Sequence, residues 1–124
     1  MDKNQTANIL AIDDEFLVCR ALDVHLRMAG FYNVEYQTDS TTALEKIIEF
    51  KPDLVLLDIM MPNLGGLELL CEIMKLENPP RVVMLSAADM ASKYDALELG
   101  AYDFINKPID SKELIVRVKH ALND

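Results

Sequence analysis

Apolar residues fall into five short runs, separated by longer stretches in which they recur every three or four positions. The runs are Ile9–Asp13, Val34–Gln37, Leu54–Asp58, Val82–Ser86 and Tyr102–Asn106. The third and fourth are almost wholly aliphatic, as expected of parallel strands covered on both faces. The second is the weakest, with Val34 and Tyr36 alternating with polar neighbours.

The stretches between the runs predict amphipathic helices. From Glu15 to Ala29, residues Val18, Leu22, Leu26 and Ala29 share a face, and Gly30 supplies a stop. Thr38–Ser40 offers N-caps for a helix reaching about Phe50, which Lys51-Pro52 ends. Gly66–Glu77 is predicted helical, bounded by Asn78-Pro79-Pro80, and Met90–Leu99 is bounded by Gly100. Asp110 and Glu113 form a D-x-x-E variant of the capping box ahead of Leu114, Val118, Ala121 and Leu122. Five alternations of strand and helix predict an α/β fold on a parallel sheet, without linker or further repeat.

Composition narrows the class. The 124 residues suit one domain, and 51% hydrophobic with 27% charged residues excludes a disordered chain. The net charge of -9, with basic residues scattered, argues against nucleic-acid binding by this segment. No run approaches the roughly 18 apolar residues of a membrane span, and Met1 to Asn8 lacks the apolar core of a signal peptide. A cytoplasmic protein that avoids membranes is expected. Cys19 and Cys71 are read as two buried, reduced thiols, His25 and His120 as exposed surface residues, and the seven Met as core filler.

In open α/β sheets, ligands bind beyond the carboxyl ends of the strands. Those ends carry Asp13-Asp14-Glu15, Asp58, Ser86 and Lys107-Pro108. Taken singly, the acids read as helix N-termini or turn residues, Ser86 as a cap and Lys-Pro as a loop. Together they place three carboxylates, a hydroxyl and an ammonium at one edge. Crowded carboxylates call for a hard divalent cation with oxygen ligands. Metal, cation and hydroxyl suit a phosphoryl group, and one carboxylate can be its nucleophile.

The same residues resemble the receiver domains of two-component response regulators, over about residues 8 to 123. The resemblance rests on Ile9-Leu10-Ala11-Ile12-Asp13-Asp14-Glu15, on Leu54-Val55-Leu56-Leu57-Asp58-Ile59-Met60-Met61-Pro62 with Gly66, on Val83-Met84-Leu85-Ser86-Ala87, on Gly100-Ala101-Tyr102-Asp103-Phe104, and on Lys107-Pro108. It implies a doubly wound, flavodoxin-like (βα)5 sandwich with five parallel strands in order 2-1-3-4-5. Residues 1–7 would be an N-terminal segment and 8–123 the receiver.

The resemblance also implies roles. Asp58 would accept a phosphoryl group from a phosphohistidine on a sensor histidine kinase or histidine phosphotransfer protein. Asp14, Asp58 and the Met60 carbonyl would ligate Mg2+, with Asp13 acting mainly through metal-bound water. Ser86 and Lys107 would hold phosphoryl oxygens, and a cis peptide would precede Pro108. Phe104 would be the switch aromatic that follows Ser86 and reshapes the surface of the fourth helix, fifth strand and fifth helix. The chain would promote its own phosphorylation and dephosphorylation without being a conventional enzyme. Its output would pass to a downstream protein or to an output domain outside this sequence.

Some positions depart from the family pattern. Gly65 replaces a residue that is often polar, and Phe104 lacks a tyrosine hydroxyl. Met60 and Ala88 flank the path of an attacking water, and neither orients it by a strong hydrogen bond. Slow self-dephosphorylation is expected. Two other readings remain: a phosphohydrolase of haloacid dehalogenase type, and a receiver-like module that is never phosphorylated. The first needs D-x-D after its first strand, where this chain has adjacent acids. The second has no need of Asp13, Asp14, Asp58, Ser86 and Lys107 together. A dinucleotide-binding fold is excluded, since Ile12 to Phe16 holds no glycine.

Overall fold

The computed structural model describes residues 6–87 and 90–123. Strands and helices alternate: β1 (Asn8–Ile12), α1 (Phe16–Met28), β2 (Asn33–Gln37), α2 (Ala43–Phe50), β3 (Leu54–Asp58), α3 (Gly66–Met74), β4 (Arg81–Ser86), α4 (Met90–Glu98), β5 (Asp103–Asn106) and α5 (Ser111–Asn123). Every strand pair is parallel and the order is β2-β1-β3-β4-β5. This is the expected flavodoxin-like arrangement, with β3 at the centre between β1 and β4.

Strand side chains alternate between faces, so the sheet builds two cores. Ile9, Ala11, Leu54, Leu56, Val83 and Leu85 point to the side covered by α1 and α5, where Leu22, Leu26, Leu114 and Val118 meet them. Leu10, Ile12, Val55, Leu57, Val82 and Met84 point to the side covered by α2, α3 and α4, against Ile47, Leu69, Leu70, Ile73 and Ala96. A fully buried Leu or Ile contributes about 1.5–3 kcal/mol. The central strands are thereby fixed from both sides, and their carboxyl ends form a rigid platform.

Element ends differ in places from the sequence pattern. β1 stops at Ile12, although the Asp13 amide donates to the Gln37 carbonyl at 3.2 Å. Asp13 is therefore the first residue off the strand. Of the cap candidates Thr38–Ser40, Asp39 is the one used: its Oδ1 accepts from the Thr41 amide at 3.0 Å, but the turn it caps is a 3-10 turn over Ser40–Thr42 that precedes α2. The helix α3 ends at Met74 rather than Glu77, because Lys75 and Leu76 bond three residues back and tighten the chain ahead of the prolines. Asp110 Oδ1 accepts from the Lys112 amide at 3.2 Å, but the Glu113 carboxylate is bonded to Arg117 Nε at 3.2 Å. Arg117 also forks onto Asp103 at 2.9 and 2.8 Å, which draws Glu113 away from the cap.

Three burial expectations need correction. Cys19 is buried but Cys71 is only partly so, because it flanks the inward face of α3. His120 is exposed, whereas His25 is half-buried at the seam of α1 and α5. Met84 is in the core, but Met28, Met60 and Met90 are exposed. Met60 therefore is not a filler of the interior. Among the described residues, no helix is long and apolar enough to cross a membrane.

Candidate functional site

Parallel strands of matched register bring their ends to one edge. Ile12 aligns with Leu57, Asp58 with Leu85, and Ser86 with Asn106. Asp13, Asp58, Ser86 and Lys107 are thus placed by backbone geometry before any side chain is considered. Asp13, Asp58 and Ser86 are buried, Lys107 is half-buried, and Asp14 is exposed.

Carboxylate oxygens of Asp13, Asp14 and Asp58 lie within 4.8 Å of one another. The Lys107 ammonium is 2.8 Å from Asp13 Oδ2, 3.4 Å from Asp58 Oδ1 and 3.5 Å from Glu15 Oε1. Asp13 Oδ1 accepts from the Glu15 amide at 2.9 Å, which fixes the entry to α1. Asp58 Oδ1 accepts from the Met60 amide at 3.2 Å. The Lys107 amide donates to the Ser86 carbonyl at 2.9 Å, and the Lys107–Pro108 peptide is cis. The Cys19 thiol donates to the Asp13 carbonyl at 3.3 Å.

Electrostatics follow from this crowding. Burial first, and the Asp13 charge second, push the Asp58 carboxyl up to about 6, against the pull of Lys107 and the Met60 amide. Burial works against the Lys107 charge, yet Asp13 and Asp58 hold its ammonium above the usual range. Burial, aided by Asp13, pushes the Cys19 thiol up to about 12, so this cysteine is an inert neutral donor.

The site is short of positive charge. Three carboxylates face one ammonium, leaving an excess of two negative charges. The Lys107 ammonium is the sole cationic partner of the buried Asp13 Oδ2 among the described residues, and it is shared with Asp58. Oxygen ligands and excess negative charge fit a hard divalent cation.

Comparison with known proteins follows the same line. Residues 9–119 match the family described as response regulator receiver domain. The chain belongs to this family. It is 35% identical over 119 residues to the uncharacterized transcriptional regulatory protein YkoG of Bacillus subtilis, covering 95% of this chain and 52% of that one. The receiver therefore spans about half the length of such a curated relative. A putative response regulator from Chloroflexus aurantiacus superposes with a TM-score of 0.88 at 30% identity, covering 95% of this chain and 98% of that one. The response regulator domain of Thermotoga maritima CheB gives 0.85 at 33%, covering 97% and 98%.

Within this receiver, the remaining sequence candidates lie around the rim. Phe104 is half-buried, with the Lys93 ammonium 4.8 Å from its ring centroid. Lys93 also donates to Asn106 Oδ1. The Met60 side chain is 69% exposed at the mouth of the pocket, so it is free to be exchanged without disturbing the core. Ala88 lies outside the described residues. Sequence reasoning set Glu15 beside Asp13-Asp14 at the strand end but gave it no role, and it is a third acid near Lys107. It missed Lys93 as a cover for Phe104, which carries no local signal because its partners come from another strand.

Proposed function

We propose that this receiver is a phosphorylation-activated switch in which Asp58 takes a phosphoryl group from a phosphohistidine, on a sensor histidine kinase or histidine phosphotransfer protein. The observation that carries the reading is the buried Asp58 carboxylate converging with Asp13, Asp14 and Lys107 at the platform of strand ends. Residues 8–123 form the receiver in this reading, with 1–7 as a leading segment.

The ionised Asp58 attacks phosphorus, an oxygen–phosphorus bond forms, the nitrogen–phosphorus bond breaks, and the imidazole leaves with its electron pair. Asp13, Asp14, Asp58 and the Met60 carbonyl are the residues that would hold Mg2+. A bound Mg2+ supplies positive charge to the phosphoryl oxygens. Lys107 pairs with one such oxygen, as its contact with Asp58 Oδ1 places it on the same side. The Ser86 hydroxyl hydrogen-bonds another. The new group brings about two negative charges and three acceptors to a buried edge. Drawing Ser86 toward them frees space beside Phe104, and the surface of α4, β5 and α5 changes with that ring. A downstream protein, or an output domain elsewhere in the full protein, reads this surface.

Incubation with Mg2+ and acetyl phosphate tests the reading by intact mass. One phosphoryl group per chain is expected, mapped to Asp58 and absent when Mg2+ is chelated. Continuous turnover of a generic phosphate ester would instead favour the hydrolase, and absence of any labelling would favour the unphosphorylated module.

The exposed Met60 gives a second expectation. Met60→Asn, and more so Met60→Asn with Ala88→Glu, should shorten the phosphoryl lifetime several-fold by orienting water, each tenfold being about 1.4 kcal/mol of barrier. The decay of labelled protein after removal of the donor measures it. Unchanged lifetimes in both variants would remove these positions from the control of hydrolysis.

A further inference from the structure

Ser40 is a buried polar residue that is not part of the acidic cluster. It opens the 3-10 turn after β2 and is 4% exposed. Its hydroxyl donates to the Pro62 carbonyl at 3.1 Å, across 22 residues of sequence. The same carbonyl accepts from the Leu64 amide at 2.8 Å. Pro62 is the midpoint of the segment 59–65 that joins β3 to α3, beside Asn63, which is held in the left-handed region at φ 68°.

The other hydrogen bonds of that segment gather at its base. The Ile59 amide donates to the Leu85 carbonyl at 3.1 Å, and the Gly66 amide to the Ile59 carbonyl at 2.9 Å. The Met60 amide donates to Asp58 Oδ1. Among the described residues, Ser40 makes the hydrogen bond that reaches the middle of the segment from another element. Its own turn is preorganised, with Asp39 accepting from the Thr41 amide and hydroxyl, and Gln37 Nε2 donating to Thr42 Oγ1 at 2.5 Å.

We infer that Ser40 is a positioning residue for the Asp58 site: through Pro62 it pins residues 59–65, so that the Met60 peptide stays registered on the Asp58 carboxylate. Without the pin, the middle of the segment is held only by its local turn, and the Met60 amide samples positions off Asp58 Oδ1. The inference rests on the reading of Asp58 as cation ligand and phosphoryl acceptor, and it adds a residue from β2–α2 to that site.

Ser40→Ala and Ser40→Cys test it, the thiol matching the hydroxyl in position but donating weakly. The Mg2+ concentration for half-maximal labelling by acetyl phosphate is measured for each, with the saturating rate and the urea midpoint recorded alongside. Groups that orient metal-binding residues typically change affinity by 10–100-fold, and an indirect pin acting on one peptide should cost roughly fivefold for Ala and less for Cys. The saturating rate should change little. A half-maximal Mg2+ concentration unchanged in Ser40→Ala, whatever happens to its urea midpoint, overturns the inference. Should Ser40→Ala not fold, an unchanged value in Ser40→Cys overturns it equally. Wild type that takes no label at any Mg2+ concentration fails the underlying reading instead, which separates the two.

Discussion

Asp58→Asn is expected to take no phosphoryl label and, in chelator-treated buffer at neutral pH, to be more stable than wild type. The first effect follows from loss of the nucleophile. The second follows from the cost of the native carboxylate. Burial and Asp13 raise the folded Asp58 carboxyl from 3.8 to about 6. Well below pH 3.8 both folded and unfolded chains hold this proton, and the site carries no charge penalty. As pH rises, the unfolded chain loses the proton first, and the folded state loses relative stability until its own carboxyl has ionised, above about pH 6. A shift of this size corresponds to at most about 3 kcal/mol. Water at the rim screens part of it, leaving about 1–2 kcal/mol. Urea midpoints from pH 4 to 8 should therefore show Asp58→Asn gaining over wild type as pH rises, with the smallest difference at pH 4. Millimolar Mg2+ should raise the wild-type midpoint and narrow or reverse the gap. A variant less stable than wild type at pH 7.5 without metal would mean that the Lys107 pair outweighs burial.

The instability is the counterpart of the chemistry. Asp13 and Asp58 are buried carboxylates beside one another, so the acidic cluster is strained electrostatically. Lys107 relieves part of the strain by reaching both acids, at 2.8 and 3.4 Å. Each added positive charge is then felt most by the buried oxygens of Asp13 and Asp58, which bulk water screens least.

Much of this was legible in the sequence because it is decided at the level of the backbone. Five aliphatic runs and the helical periodicity between them specify the alternation, and parallel strands bring Asp13, Asp58, Ser86 and Lys107 to one edge whatever the loops do. The strand order is a different matter: nothing in the periodicity of β2 tells that it lies outside β1, and family resemblance supplied it. Features that depend on side chains meeting across elements left no local mark. Thr38–Ser40 reads as a set of cap candidates, and no local mark tells that Asp39 takes the role while Ser40 turns to Pro62. Glu113 reads as half of a capping box, yet Arg117 captures it. Met60 reads as filler, yet it follows the buried run of β3 out into solvent.

Gly66→Ala is expected to unfold the chain more readily than any single large-to-small change at the rim of the site, while Gly65→Ala is tolerated. A Cβ at Gly66 would lie 2.1 Å from the Asp58 carbonyl oxygen and 2.6 Å from the Ile59 Cα. Both are backbone atoms of the strand end that carries Asp58, and the Gly66 amide is itself bonded to the Ile59 carbonyl at 2.9 Å. Neither side can yield without moving β3 or α3. Overpacking a core typically costs about 1–3 kcal/mol, and a clash with fixed backbone belongs at or beyond the top of that range. For a domain of this length that corresponds to a melting temperature lower by about 10 °C or more. At Gly65 the added methyl would meet only Glu68 Oε1, at 3.6 Å. Its φ of -71° suits any residue, so the change should stay within about 0.5 kcal/mol. The pair also separates stability from chemistry. At a temperature where Gly66→Ala is still folded, its labelling by acetyl phosphate should fall, because the displaced strand end carries Asp58 away from Lys107 and Asp13; Gly65→Ala should label as wild type does. Equal melting temperatures for the two variants would mean that α3 can lift off β3 freely, and that the close approach at Gly66 does not hold the site.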